Sequence, residues 1–437
     1  MPDRWIALSS TVSMSARGRT LSTLAAALAL AGCGDPQARD IDAAPADVDA
    51  GDDGPADAAV DADPAAIVAP VGTWTWIPVD GSTCGSGARA GVGINPSGGG
   101  DELVVFFQGG GACWNQGTCV PSLLSYGPVC YYNPNLCAYD GPGGLQPTAA
   151  HVAEADPFPA SGLGNFPAEL RAIERSTFFD RADPANPLRA ASYVYVPYCT
   201  GDLHAGDAER DYAFKYNPFD PVGSYRMHFT GARNVRAYLA RLVATYPAAR
   251  KVWIIGVSGG GYGAQLNLER IQQAFPTAEV HVLADSAPLV PTNHLTAWTT
   301  AWNLAPPAGC TDCDQGLPAW IRRLMTAHPT SRFGLMSYDR DRVISWFFFA
   351  GDGPDQALSP PLDTFRAALL ALRTSSYAGR ANARTFVVPG EAHVFLGDYE
   401  NRAADGTVRP PITAANGVDL REFVVGWATG AGWASGE

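Results

Sequence analysis

No stretch of about 18 uncharged apolar residues occurs in this 437-residue sequence, so no membrane-spanning helix is predicted. Positive charge is scarce. The net charge of −13 disfavours nucleic acid and other polyanions as partners. Neither H-E-x-x-H nor a P-loop pattern is present, which removes the commonest zinc-protease and nucleotide signatures. Internal repeats are absent too. Only 17% of the residues are charged and 46% are hydrophobic, a globular composition with ample length for a large core.

The acidity is uneven. Residues 34–70 hold ten aspartates against one arginine and account for −9 of the total. This Asp/Ala/Pro-rich stretch cannot bury enough apolar surface to order itself, and reads as a self-repelling tether. Before it, Arg17 and Arg19 precede a short apolar run, Leu21 to Leu30, and then Leu30-Ala31-Gly32-Cys33. That layout predicts an export signal over 1–32. The last four residues resemble a bacterial lipobox, which makes Cys33 the expected lipidation site. A start at Met14 would give a leader of ordinary length, and a plain cleaved signal peptide is the alternative to lipidation. Both readings export the protein, either anchored at the cell envelope through lipid or secreted. Residues 71–437 remain as one catalytic-sized domain.

Beyond Cys33 there are eight cysteines, an even number that suits disulfides in an exported chain. Proximity favours Cys113–Cys119, Cys130–Cys137 and Cys310–Cys313, leaving Cys84–Cys199. The C-x-x-C at 310–313 lacks the second pair or neighbouring histidines of a zinc site, so no metal is expected.

Apolar runs at 73–79, 90–94, 103–108, 193–196, 252–257, 279–283, 332–337 and 384–388 read as strands. Helical patterns fall at 230–246, 262–275, 318–328, 362–372 and 418–427. The alternation predicts an α/β fold with a mostly parallel sheet, and residues 112–190 read as a Cys/Pro/Gly-rich insertion. One segment has stronger content than the rest. The run at 252–257 ends in Gly256-Val257-Ser258-Gly259-Gly260 and a helical pattern follows. Strand, G-x-S-x-G, helix is the context of a nucleophile elbow, so Ser258 is the expected nucleophile.

A serine nucleophile needs a base, and the base needs an orienting acid. In α/β-hydrolases they follow in the order Ser, Asp or Glu, His. His393, just after the strand at 384–388, is the histidine that satisfies this order. Asp339, closest to the end of the strand at 332–337, is placed first as the acid; Asp341 and Asp285 are the alternatives. Gly259 supplies one expected oxyanion donor, and Gly109-Gly110-Gly111 after the early buried strand suits the other. That strand is not followed by G-x-G-x-x-G, so a dinucleotide site is disfavoured, and no cofactor is expected. Trp114, Tyr131 and Tyr132 are candidates for stacking on sugar rings or for packing. His204 is a candidate for the rim of the site.

Phe107-Gln108-Gly109-Gly110-Gly111-Ala112-Cys113-Trp114, Tyr198-Cys199-Thr200-Gly201-Asp202, Gly256 to Gly260, Asp285-Ser286 and Ala392-His393 together resemble the pectin acetylesterase/Notum family, in its order, over roughly residues 75–400. The resemblance implies an α/β-hydrolase fold and a triad of Ser258, Asp339 and His393. It also implies oxyanion donors Gly110, Gly111 and Gly259. The implied activity is removal of acyl groups: acetyl from pectin in some members, palmitoleate from a signalling protein in animal ones. Two departures leave less side chain near the nucleophile. Gly111 and Ala112 replace an aromatic position, and Ser-Gly-Gly-Gly replaces Ser-Ala-Gly-Gly at the elbow. The expected substrate is an acylated carbohydrate or another ester. A longer-chain acyl ester or polyester, or a non-catalytic surface binding protein on the same fold, are the alternatives.

Overall fold

Leu103, Val105 and Phe107 pack into one apolar cluster and Val104 and Phe106 into a second. A strand whose alternate side chains are both buried must be apolar throughout, which is why 103–107 reads as an unbroken run. The computed structural model describes residues 65–119, 179–214, 222–349, 361–396 and 410–437. Cys33, the export signal, most of the tether, Tyr131, Tyr132 and the Cys130–Cys137 pair lie outside the described residues.

In chain order the elements are β1 (Thr75–Thr83), β2 (Arg89–Asn95), β3 (Glu102–Phe107), β4 (Ser192–Val196), β5 (Ala208–Phe214), β6 (Gly223–Phe229), α1 (Gly231–Thr245), β7 (Lys251–Val257), α2 (Gly259–Leu266), α3 (Leu268–Ala274), β8 (Glu279–Asp285), α4 (Leu295–Trp302), α5 (Leu317–Ala327), β9 (Phe333–Tyr338), α6 (Arg342–Phe349), α7 (Leu362–Leu372), β10 (Ala383–Val388) and α8 (Leu420–Thr429). Eight strands form one sheet in the order β1-β2-β4-β3-β7-β8-β9-β10. β2 alone runs against its neighbours; every pairing from β4 to β10 is parallel. This is the α/β-hydrolase arrangement. Tyr238 and Leu242 of α1, Ile271 of α3, Leu324 of α5 and Leu369 of α7 cover one face. Phe423, Val424 and Trp427 of α8 cover the other. β5 and β6 pair as a separate antiparallel hairpin.

Helix α8 shows how sequence sets a boundary. Asp419 accepts from the Arg421 and Glu422 amides and Glu422 reaches back, a complete capping box. Gly430 ends the helix in the left-handed region at φ 77°. Packing begins before the expected domain start at 71: Ile67 is buried, and its N–H donates to Thr245 Oγ1 at 2.8 Å. The helical pattern at 262–275 is in fact two helices. Asn267, between them, turns its side-chain amide to Gly263 O and His204 O, both at 2.9 Å.

Three of the expected disulfides are present: Cys84–Cys199, Cys113–Cys119 and Cys310–Cys313. They fit an oxidising compartment outside the cytosol. Among the described residues no helix is long and apolar enough to cross a membrane.

α2 follows β7 directly and runs behind β3 at a distance set by glycine. A β-carbon at Gly256 would lie 2.1 Å from Gly260 O, and one at Gly260 would lie 2.1 Å from Phe107 O and 2.4 Å from Gln108 O. All three obstacles are backbone and cannot swing aside. Gly260→Ala is therefore expected to destabilise the fold by more than about 4 kcal/mol, read as loss of soluble protein or a collapsed urea midpoint.

Candidate active site

Register in the sheet brings the site together before any side chain is considered. Phe107 pairs with Gly256 across β3 and β7. Val257 pairs with Asp285 across β7 and β8, and Val388 with Tyr338 across β10 and β9. The C-terminal ends of five adjacent strands therefore lie on one edge, where ligands bind in open α/β sheets. Gly109, two residues past β3, sits so close to the elbow that a β-carbon there would be 2.5 Å from Val257 O and 3.1 Å from Ser258 Cβ.

Ser258 stands at the elbow with φ 53° and ψ −126°, a strained conformation for a residue with a side chain. Its N–H donates to Asp285 O at 2.8 Å, and its carbonyl accepts from Gly261 N and Tyr262 N, starting α2. Gly110, Gly111, Ser258 and Gly259 line one small pocket. The sequence-predicted nucleophile and oxyanion glycines are thus neighbours. Tyr262, Trp298, Ile344, Phe347 and Phe348 wall the pocket, in which the centre of a water-sized body has about 20 Å³ to occupy.

His393 lies five residues past β10, with 19% of its side chain exposed. Its Nδ1 is 2.7 Å from Asp341 Oδ2. This corrects the placement of the acid. Asp339 lies elsewhere: Arg366 Nε donates to its Oδ2 at 2.8 Å and Gly390 N to its Oδ1 at 3.0 Å. It fixes the start of the His393 loop instead of meeting the imidazole. The physical reason is α6. Asp341 precedes this helix, and its Oδ1 accepts from Val343 N and Ile344 N, both at 3.0 Å, as an N-cap does. The cap fixes one carboxylate oxygen and turns the other to His393. Asp-Arg-Val-Ile just before Ser345 carries this capping signal, but it is readable only if a helix is recognised at 342–349.

Asp285, the third candidate, has a different task. It is fully buried. Its Oδ2 accepts from Phe395 N at 2.7 Å and Leu396 N at 2.8 Å, and Ser286 Oγ accepts from Val394 N at 2.9 Å. These bonds tie the His393 loop to the end of β8, next to the elbow. The tie holds two strained residues, Ser286 at φ 52° and the β-branched Val394 at φ 62°. Burial pushes the Asp285 carboxyl up to about 6, against the pull of the two amides. At His393 burial opposes the imidazolium. The charge and hydrogen bond of Asp341, with Asp285 behind them, outweigh it and hold the group above the ordinary imidazole value of 6.5.

His204 is not at the rim. It is buried, with Nε2 2.9 Å from Gln108 O, and burial lowers its pKa to about 4. Trp114 is also buried, its ring 4.7 Å from His294 and 5.9 Å from Trp298, so it packs and does not offer a face to sugar. Among the described residues no cluster of three or more His, Cys, Asp or Glu is arranged to hold a metal ion.

Three outcomes follow. Asp341→Asn should lower the plateau of kcat/KM for an acetyl ester by about a thousandfold and move its acid limb to lower pH. Asp339→Asn should stay within about tenfold of wild type. Asp285 titrates nearer 6 folded and 3.8 unfolded. The native state therefore holds the extra proton between these values, and this group's stabilising contribution falls as pH rises through about 6. Asp285→Asn should flatten that fall by on the order of 3 kcal/mol, measured by urea unfolding at pH 4 and 7.

Comparison with known proteins gives concordant results. Residues 170–303 match the family model Pectinacetylesterase, a span that includes the Tyr198 loop, Ser258 and Asp285. Over 210 residues the chain is 22% identical to the Homo sapiens palmitoleoyl-protein carboxylesterase NOTUM, covering 47% of this chain and 34% of that protein. The chain thus spans about a third of the length of this curated relative. Two structures of the Wnt deacylase Notum from Drosophila align at 16% identity with TM-scores of 0.45 and 0.49, covering 81% of this chain and 92% of theirs. With the strand order and the elbow already described, these likenesses support a pectinacetylesterase/Notum-like family and an α/β-hydrolase fold for the chain.

Proposed function

We propose that the protein is an exported serine carboxylester hydrolase that removes short acyl groups, acetyl foremost, from an O-acylated carbohydrate such as pectin. The observation that carries this reading is the pocket in which Ser258 and three glycine amides meet an aromatic wall. The carbohydrate half rests on the likeness of residues 170–303 to pectinacetylesterases.

In this reading Asp341 accepts the Nδ1 proton of His393 in a hydrogen bond, which leaves the Nε2 lone pair as base. His393 takes the Ser258 proton as Oγ attacks the ester carbonyl. Gly259 and the Gly110 and Gly111 amides receive the negative oxygen. The tetrahedral adduct collapses, the C–O bond breaks, and the alcohol leaves with the proton from His393. Water, deprotonated by the same histidine, attacks the acyl-enzyme and releases the carboxylic acid and free Ser258. Each proton taken is returned within the cycle. Side chains and backbone amides of this chain carry every step.

Size supports acetyl. The centre of a water-sized body has about 20 Å³ to occupy beside Ser258, which suits a group as small as an acetyl methyl. The human relative is named for a palmitoleoyl substrate, and the wall formed by Trp298, Phe347 and Phe348 stands against such a chain here.

Ser258→Ala should reduce acetyl-ester hydrolysis by at least about a thousandfold and abolish fluorophosphonate labelling. A loss of less than tenfold would remove the nucleophile assignment. Across a series of esters from acetyl to hexadecanoyl, wild type should prefer the shortest. Phe347→Ala should raise the butanoyl-to-acetyl rate ratio by about tenfold, the worth of one or two methylenes. Acetate release from acetylated pectin and xylan tests the alcohol half.

A further inference from the structure

The loop from Tyr198 to His204 takes no part in the acyl-transfer steps, yet the structure invests heavily in its shape. Leu203 and His204 are consecutive residues with φ 56° and 57°, a region that side chains disfavour. Several bonds hold them there. Asp202 Oδ1 accepts from Thr200 Oγ1 at 2.6 Å and Oδ2 from Gly231 N at 2.8 Å. Leu203 N donates to Tyr198 Oη at 2.8 Å, and Asn267 Nδ2 to His204 O at 2.9 Å. Gly263 leaves room for the imidazole: a β-carbon there would lie 2.7 Å from His204 Cδ2.

The loop directs two side chains at the back of the Gly109–Gly111 turn. His204 Nε2 lies 2.9 Å from Gln108 O. A carbonyl oxygen only accepts, so Nε2 carries the proton and the neutral ring donates. Holding that carbonyl fixes the plane of the peptide that joins Gln108 to Gly109. Tyr198 N donates to Gln108 Oε1 at 2.9 Å, and the Tyr198 ring packs on His204 at a tilt of 31° with centroids 4.6 Å apart. The same ring fills the space beside two glycines. A β-carbon at Gly110 would be 2.4 Å from Tyr198 Cδ1, and one at Gly259 would be 3.1 Å from Tyr198 Cε1.

We propose that His204 and Tyr198 are positioning residues for the oxyanion hole: His204 holds the Gln108 carbonyl, and Tyr198 backs Gly110 and Gly259. Neither touches the substrate. Together they fix the amides before the tetrahedral oxygen arrives, which is the condition under which such donors are most effective. The proposal rests on the reading of Ser258 as nucleophile and of these glycines as its oxyanion donors.

His204→Phe keeps a ring against Phe107 and Tyr198 and removes the donor; His204→Gln restores an N–H. Four measurements separate positioning from general support: kcat and KM on a soluble acetyl ester, the pH profile, thermal midpoint, and inhibition by a boronic acid compared with the free alcohol product. The boronate forms a tetrahedral adduct on serine that needs the oxyanion hole; the alcohol does not. His204→Phe should lower kcat about 10- to 100-fold, leave KM within threefold, and weaken the boronate by a similar factor. Alcohol inhibition and the acid limb should not move. His204→Gln should recover at least threefold. Tyr198→Leu, which withdraws the ring behind Gly110 and Gly259, should show the same split at three- to tenfold, and decides the matter should His204→Phe not fold. A folded His204→Phe with kcat within twofold of wild type overturns the proposal. So does a loss in which boronate and alcohol weaken together. Wild type that neither hydrolyses the ester nor labels at Ser258 removes the esterase reading itself, and this proposal with it.

Discussion

Two carbonyl oxygens occupy the places where side chains would otherwise begin. Phe107 O lies where a β-carbon of residue 260 would be, and Gly260 O where one of residue 256 would be. No rotamer change relieves such contacts, because both partners are backbone. The close approach of α2 to β3 and β7 is thereby restricted to glycine. Much else depends on it. It bends the chain so that Ser258 adopts a positive φ, and places Gly259 against Gly110. The register of β3 on β7 then sets Gly110 and Gly111 beside Gly259. The G-x-S-x-G pattern is a packing requirement first, and a chemical one through what the packing allows.

Three aspartates gather at the strand ends, and their surroundings give each a different task. Asp285 is buried with backbone amides and leans toward its protonated form. Asp339 is held by Arg366 and secures Gly390. Asp341 divides its two oxygens between a helix end and an imidazole. Residue type and distance along the chain do not separate them. Helix geometry does: capping α6 with Oδ1 turns the Oδ2 of Asp341 to His393.

Much of this was legible in the sequence. Strands buried on both faces announce themselves as unbroken apolar runs, and β3, β4, β7, β8, β9 and β10 lie within a few residues of where those runs place them. The place of Ser258 at a strand-to-helix turn beside Gly110 and Gly111 follows from motif. The Cys84–Cys199, Cys113–Cys119 and Cys310–Cys313 bonds follow from proximity and remainder. What escaped were short elements whose signals are weak. The β5–β6 hairpin carries charged and aromatic residues on an open ribbon. α4 and α6 are eight residues each, too short for periodicity to stand out. Missing α6 hid the partner of His393: without the helix, Asp341 has no cap to mark it, and the residue nearer the strand end looks better placed. His204 escaped for another reason, since its burial depends on Gly263 and Asn267, some sixty residues away, and no local pattern carries that.

Helix α6 joins two properties that are usually treated as separate. Its first turn is capped by Asp341, and its later residues Ile344, Phe347 and Phe348 form part of the wall of the pocket beside Ser258. On the proposed function, one eight-residue helix sets both the basicity of His393 and the size of acyl group admitted, and a change that shifts or frays it alters chain-length preference and proton transfer together. Selectivity and catalytic power are then not independent variables in this scaffold. A pocket for bulkier acyl groups would have to be widened from the Trp298 side, or the cap that orients the histidine rebuilt.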